Sequence, residues 1–271
     1  MTRDAMTNDR TADDAGTRAA MTDDELCADL ARRAGHVLLE LRERTGFSDP
    51  AALRTAGDRA SQEFLAAELA AHRPDDAVLS EEAADTADRL GASRVWIVDP
   101  LDGTREYAEE GRDDWAVHVA LWQDGRLAAG AVALPARDRT LATRPALALP
   151  VPSDTAAAAP LRIAVSRTRP PASVAKLAAA LGAEMVPMGS AGVKISAVVL
   201  GTVDAYVHGG GQYEWDSAAP VAVALAAGAH ASRLDGSPLV YNRRDPRLPD
   251  LLVCRPGVAD TLLREIALLD W

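Results

Sequence analysis

The apolar run Val95-Trp96-Ile97-Val98 leads without a break into Asp99-Pro100-Leu101-Asp102-Gly103-Thr104. A short apolar run of this kind is a core strand, so it delivers two carboxylates to the point where the chain leaves the core. Pro100 limits the turn between them, which allows Asp99, the Leu101 carbonyl and Asp102 to converge as hard oxygen ligands of the type magnesium prefers. Gly103 and Thr104 follow where a helix can begin, and their backbone N–H groups can hold phosphate oxygens beside a cation. Asp-Pro and Asp-Gly are also common turn pairs, and a strand-turn segment standing alone is more often structural. Further acidic stations alter that balance: Ser80-Glu81-Glu82 follows another short strand, and Glu214-Trp215-Asp216 precedes a helix expected from Ser217.

The rest of the chain supplies a frame for these stations. Residues Met1 to about Met21 carry almost no large apolar side chains, which predicts a disordered tail. Thr22 with Asp23, Asp24 and Glu25 predicts a capped helix, continued by Leu26, Leu30, Ala34, Val37 and Leu41. A second helix is expected from Asp58 to Ala71, with the segment from Gly46 to Arg54 as a loop over the site. Strands are expected at Ala77 to Leu79, Val95 to Val98, Trp115 to Trp122 and Leu127 to Leu134, forming a meandering sheet. Four prolines and an alanine run between Arg144 and Pro160 suggest a junction near Ala157. Beyond it the pattern alternates: strand Leu161 to Val165, helix Ala172 to Leu181, strand Glu184 to Met188, helix Gly192 to Leu200, strand Val203 to Val207, helix Ser217 to Ala227. The expected organisation is a 22–157 α+β half that binds metal and a 158–271 α/β half that binds substrate.

Charge and cysteine usage narrow the classes. Lys and Arg total 29 against 40 Asp and Glu, giving a net charge of -11, which repels nucleic-acid backbones and anionic membranes. A phosphorylated substrate is repelled as well, unless acidic groups hold cations that attract it. Cys27 and Cys254 are far apart and suggest buried thiols rather than a disulfide or zinc site. No spanning segment or apolar leader is visible, so a cytoplasmic location is expected. The histidines show no paired ligand spacing, and His118, alternating within a strand, reads as a core residue. Glu106, Glu109, Glu110, Asp113 and Asp114 read as a solvated acidic loop, and Trp96, Trp115, Trp122 and Trp215 as packing.

Taken together, the upstream Glu81-Glu82, the D-P-L-D-G-T segment at 99–104 and the downstream Trp215-Asp216 resemble the inositol monophosphatase superfamily. The resemblance runs from about Thr22 to the C-terminus and implies a layered αβαβα sandwich. It implies that Glu81, Asp99, the Leu101 carbonyl, Asp102 and Asp216 bind two or three magnesium ions. Thr55 and Asp58 match the family's T-x-x-D element, so Asp58 and Thr104 would orient the attacking water, with Glu81 as base. Ala56-Gly57 departs from the usual pair of alanines before that aspartate. Lithium sensitivity and a homodimer are further family expectations.

Substrate choice is expected from the second half, where Ser166-Arg167-Thr168 and Gly189-Ser190-Ala191-Gly192-Val193-Lys194 each follow a strand, a favoured ligand position. These phrases, with A-V-L-S-E-E-A, G-R-D-D-W-A-V-H and E-W-D-S-A-A-P, look most like the bisphosphate nucleotidase branch called CysQ in its actinobacterial form. The implied substrate is 3'-phosphoadenosine 5'-phosphate or its phosphosulfate. Gly103, Thr104, Ser166, Arg167, Gly189, Ser190, Lys194 and Glu214 are then the candidate substrate contacts, with Lys194, Ser190 and Arg167 toward a second phosphate. A lysine in a helix's first turns is also commonly solvated, and a serine after a strand commonly a cap. Inositol-1-monophosphatase and fructose 1,6-bisphosphatase activities are the alternatives.

Overall fold

Helix α1 (Asp23–Thr45) starts where the local chemistry demands: Thr22 accepts from the Glu25 N–H, and the Glu25 carboxylate accepts from the Thr22 N–H at 2.9 Å. The computed structural model describes residues 21–151, 159–269 and 271. The expected tail therefore lies outside the described residues, except for Met21, whose carbonyl accepts from Arg73 at 2.9 Å. The junction expected near Ala157 falls outside them too. Helix α2 (Pro50–His72) begins at Pro50 rather than Asp58, because the Asp49 side chain caps it and Pro50 fits the first turn. The part of the expected loop from Pro50 to Arg54 is thus helical.

The first sheet runs in the order β1 (Ala77–Ser80), β2 (Arg94–Asp102), β3 (Ala116–Gln123), β4 (Arg126–Leu134), β5 (Arg139–Ala142). It is not a meander throughout: β1 pairs parallel to β2, with Ser80 opposite Val98. That pairing matters, because it sends Glu81 and Asp99 out of the same edge. After β2 comes a single helical turn, α3 (Thr104–Tyr107).

The second sheet has the order β10-β12-β8-β6-β7, made of β6 (Arg162–Ser166), β7 (Glu184–Met188), β8 (Ala205–His208), β10 (His230–Ser232) and β12 (Leu251–Cys254). Its helices are α4 (Ala172–Leu181), α5 (Ala191–Val199), α6 (Glu214–Ala226) and α7 (Ala259–Ile266). A small ribbon pairs β9 (Gln212–Tyr213) with β11 (Arg247–Leu248). The strands after Gly209 and helix α7 were not expected; the strands are too short to show a period. Helix α6 starts at Glu214 rather than Ser217, because the Asp216 carboxylate accepts from the Tyr213 N–H at 2.6 Å and closes its first turn.

Strand alternation sorts the side chains into three cores. Trp96 and Val98 of β2, with Val117, Val119 and Leu121 of β3, face α1 and α2. Val95, Ile97, Ala116 and Ala120 point the other way, toward α5 and α6, where Ala164, Tyr206, Leu251 and Val253 of the second sheet meet them. The opposite face of that sheet, including Ile163, Val165, Val207 and Leu252, packs on α4 and α7. The product is the αβαβα sandwich, with both sheets covered on both faces. Glycine makes the central contact close: a Cβ on Gly130 of β4 would sit 2.9 Å from Ala222 of α6. The four tryptophans expected to pack do so, Trp96 and Trp115 fully buried and Trp122 and Trp215 against the central core.

Candidate active site

Strand β2 delivers its carboxylates through a break in its ladder. Its register to β3 shifts between Asp99 and Asp102, where Pro100 lacks an N–H to pair. The turn is held from inside: the Leu101 N–H donates to Asp99 at 3.0 Å, and Ser61 Oγ of α2 donates to the Pro100 carbonyl at 2.7 Å. Gly103 then adopts φ +87°, and a Cβ there would meet Ser190 and the Trp115 backbone at 3.1 and 3.2 Å. Only glycine fits both the left-handed backbone and that approach. Gly57 is similarly pressed by Tyr107 and Leu101, which is why glycine stands in the T-x-x-D element and brings Asp58 close to the loop.

Asp102 is gripped by the second half of the chain. One of its oxygens accepts from Ser190 Oγ at 2.5 Å and from the Gly192 N–H at 2.7 Å, so it caps α5 from across the interface. His118 Nε2 lies 3.3 Å from the same oxygen, while His118 Nδ1 is 3.0 Å from the Trp215 carbonyl. A carbonyl only accepts, so Nδ1 carries the proton in that bond. Asp99, Asp102 and His118 are all buried, with atoms that lie within 4.8 Å of one another. His118 is therefore more than the core residue its alternation suggests: it links Asp102 to the start of α6. The available signal was its place opposite Asp99 in the β2–β3 register, which needs the pairing to be known.

The electrostatics are those of a carboxylate nest short of positive charge. Burial, followed by repulsion from Asp216 and Asp102, pushes Glu81 up to about 7. Burial, then Asp102, raises Asp216 to about 6. Asp99 is raised well above its usual range by burial and by Glu81, Asp102 and Asp216. Burial also opposes the charge of Asp102, but His118, whose Nε2 faces it, the hydrogen bond from Ser190 and the nearby Lys194 hold it down at about 2. Asp58 is half-buried and raised to about 6 by desolvation and Glu82. Asp99 and Asp102 are buried, Asp216 is half-buried and Glu81 stands at the exposed rim. Mutually repelling carboxylates with an all-oxygen donor set fit a hard divalent cation, which removes the repulsion outright.

Beside the nest lies a cavity of about 370 Å³ lined by Gly103, Thr104, Ser166, Arg167, Gly189, Ser190 and Lys194. Seven of the expected substrate contacts thus share one wall. Glu214 does not: it is fully buried, and its carboxylate accepts from the backbone N–H groups of Asn242 and Arg243 at 2.6 and 2.8 Å. It thereby anchors the loop at Asn242 and Arg243. Within the acidic loop read as solvated, Glu106 and Asp114 are in fact buried; Asp114 accepts from the Gly189 N–H at 2.6 Å and pairs with Arg112. Arg54, Arg105 and Arg169 also line the cavity and were not singled out by sequence.

Solved structures with this fold include inositol monophosphatases. That of inositol monophosphatase II from Staphylococcus aureus superposes with a TM-score of 0.73 at 22% identity, covering 87% of this chain and 91% of that one. The inositol monophosphatase family matches residues 23–267, and the chain belongs to that family. The 3'-phosphoadenosine 5'-phosphate phosphatase of Mycobacterium leprae is 55% identical over 260 residues, spanning 91% of this chain and 94% of that protein. The 3'(2'),5'-bisphosphate nucleotidase CysQ of Escherichia coli K12 is 30% identical over 234 residues, spanning 82% and 94%. Among the described residues, no helix is long and apolar enough to cross a membrane.

Proposed function

We propose that this protein is a magnesium-dependent phosphatase that removes the 3'-phosphate of 3'-phosphoadenosine 5'-phosphate. The observation that carries the reading is the convergence of Glu81, Asp99, Asp102 and Asp216 beside a cavity rimmed by arginines. The high identity to the mycobacterial phosphatase supports the choice of substrate.

Two or three magnesium ions held by Glu81, Asp99, the Leu101 carbonyl, Asp102 and Asp216 would supply charge neutralisation, an acidified water and stabilisation of the leaving oxygen. The chain's own groups do the rest. Glu81, at the edge of the nest, is the carboxylate that would accept a proton from the attacking water. Thr104 Oγ1 donates to the Leu101 carbonyl at 3.2 Å, which fixes the hydroxyl where an attacking water can be oriented, with Asp58 close by on α2. Gly103 and Thr104 offer backbone N–H groups to the reacting phosphate. No side chain need form a covalent intermediate.

In this reading residues 22–157 supply most of the metal ligands and residues 158–271 most of the substrate wall, and the protein works in the cytoplasm as a homodimer; light scattering in solution tests the dimer. The activity is tested by phosphate release, with and without magnesium, from 3'-phosphoadenosine 5'-phosphate and inositol 1-phosphate. A higher kcat/KM on the nucleotide is expected. A higher value on inositol 1-phosphate would reverse the assignment, and release that ignores magnesium would remove its mechanism.

A further inference from the structure

The cavity beside the nest contains more positive charge than one reacting phosphate needs, and its cations are not equivalent. Lys194, only 7% exposed, donates to the Ser190 and Gly189 carbonyls at 2.6 and 3.3 Å. The Ser190 hydroxyl is already donated to Asp102. Arg167 is bridged to Glu106 at 2.9 Å and to Glu109 at 2.8 Å. The groups that sequence points toward a second phosphate are therefore engaged within the protein. Arg54, Arg105 and Arg169 line the same cavity, and none of them has a carboxylate within 4 Å among the described residues, although Arg54 is near enough to Asp58, one turn on in α2, to favour its charged form. In a chain of net charge -11, carboxylate partners are plentiful. Like charges gathered around one concavity repel, and a multiply charged anion is what relieves them.

We infer that Arg54, Arg105 and Arg169 form a subsite for the second, non-reacting phosphate of a bisphosphorylated substrate. The inference rests on the function proposed above and goes beyond it by naming the residues that select the substrate. Arg54 comes from the first turns of α2, Arg105 directly follows Thr104 in α3, and Arg169 lies in the loop after β6. The subsite thus joins elements from both halves of the chain and begins next to the loop that holds the reacting phosphate. Guanidinium groups suit the task, since each can present two parallel N–H donors to phosphate oxygens. Discrimination follows from what a monophosphate leaves behind: a cluster of arginines with no anion to pair. Lys194 is by contrast a positioning residue, its ammonium tying down the Gly189-Ser190 turn, where Ser190 holds φ +50°.

The test compares wild type with Arg54→Gln, Arg105→Gln and Arg169→Gln at saturating magnesium. One substrate is 3'-phosphoadenosine 5'-phosphate; the other is adenosine 3'-monophosphate, with the same reacting group and no second phosphate. Each variant is expected to lower the ratio of the two kcat/KM values by about tenfold or more, the size of one lost charge-assisted contact. Calorimetric binding of adenosine 5'-monophosphate, which carries only the second phosphate, should weaken by a similar factor. An unchanged ratio and unchanged binding in all the variants would overturn the subsite while the activity stands. A wild-type protein that releases phosphate from neither nucleotide would instead overturn the function itself.

Discussion

At the scale of single residues, the site depends on carboxylates that the fold holds closer together than their charges favour. Asp99 is the most buried of them, and Asp99→Asn removes one negative charge and one ligand while preserving shape. Turnover should fall by orders of magnitude, and the melting temperature in chelator should hold or rise, because the substitution relieves repulsion. Retained turnover would show that Asp99 is not a ligand. The raised groups also predict a pH dependence for the metal-free protein. Glu81 and Asp216 sit at about 7 and 6 in the folded state, above their ordinary values of 4.5 and 3.8. The folded protein therefore binds more protons than the unfolded chain between those limits. This contribution to stability is fully present below about pH 4 and is lost as pH rises through 6 to 7. Melting in chelator should accordingly be lower at pH 8 than at pH 5.5, and saturating magnesium should shrink the difference. A chelated protein whose melting temperature climbs over that interval would contradict the carboxylate nest.

At the scale of elements, the proposed metal ligands come from separate parts of the chain and are set by a clamp away from the chemistry. Arg89, 1% exposed, pairs with Asp85 at 2.7 Å and donates to the Asn242 side chain and the Arg243 carbonyl at 2.7 and 2.8 Å. The Asn242 and Arg243 N–H groups in turn satisfy Glu214 at the start of α6. The loop that follows Glu81 is thereby tied to the helix that carries Asp216. Arg89→Ala leaves Asp85 and those loop acceptors without their partner, and should cost about 3 kcal/mol of stability in a denaturant titration. It should also weaken magnesium binding measured by calorimetry; loss of stability with unaltered magnesium affinity would limit Arg89 to scaffolding. Gly130 makes a second element-scale prediction. With α6 this near to β4, Gly130→Val should overpack the central layer and cost about 1–3 kcal/mol, read in the same titration. A neutral result would mean that the two elements can separate without penalty.

For the whole molecule, the central core joins the two halves, with Val95, Ile97 and Ala120 of the first sheet in the same cluster as Ala164, Tyr206 and Val253 of the second. The nest opens at the end of this shared layer, so binding and folding are linked. Magnesium at about a hundredfold its dissociation constant should add about 2.7 kcal/mol to unfolding, seen as one shifted transition. A metal-independent transition would separate the nest from global stability. Much of this was already legible in the chain. Val95 to Thr104, Glu81-Glu82 and Trp215-Asp216 name their chemistry locally, because a strand that ends in acids, a proline turn and a helix start are all short-range patterns. Helix α4 and strand β7 also match their expected limits, since their apolar spacing and their Pro171 and Gly182 boundaries are local. What sequence could not decide is how partners across the fold use each group. Glu214 looked available and is buried under two backbone donors; Lys194 and Ser190, expected as substrate contacts, line the cavity and also hold their own turn; His118 looked like core and faces Asp102. Residue types and their order along the chain determined which chemistry was possible. Tertiary structure alone decided which groups remain free to perform it, because a hydrogen bond or ion pair to a residue distant in sequence leaves no periodic trace in the chain.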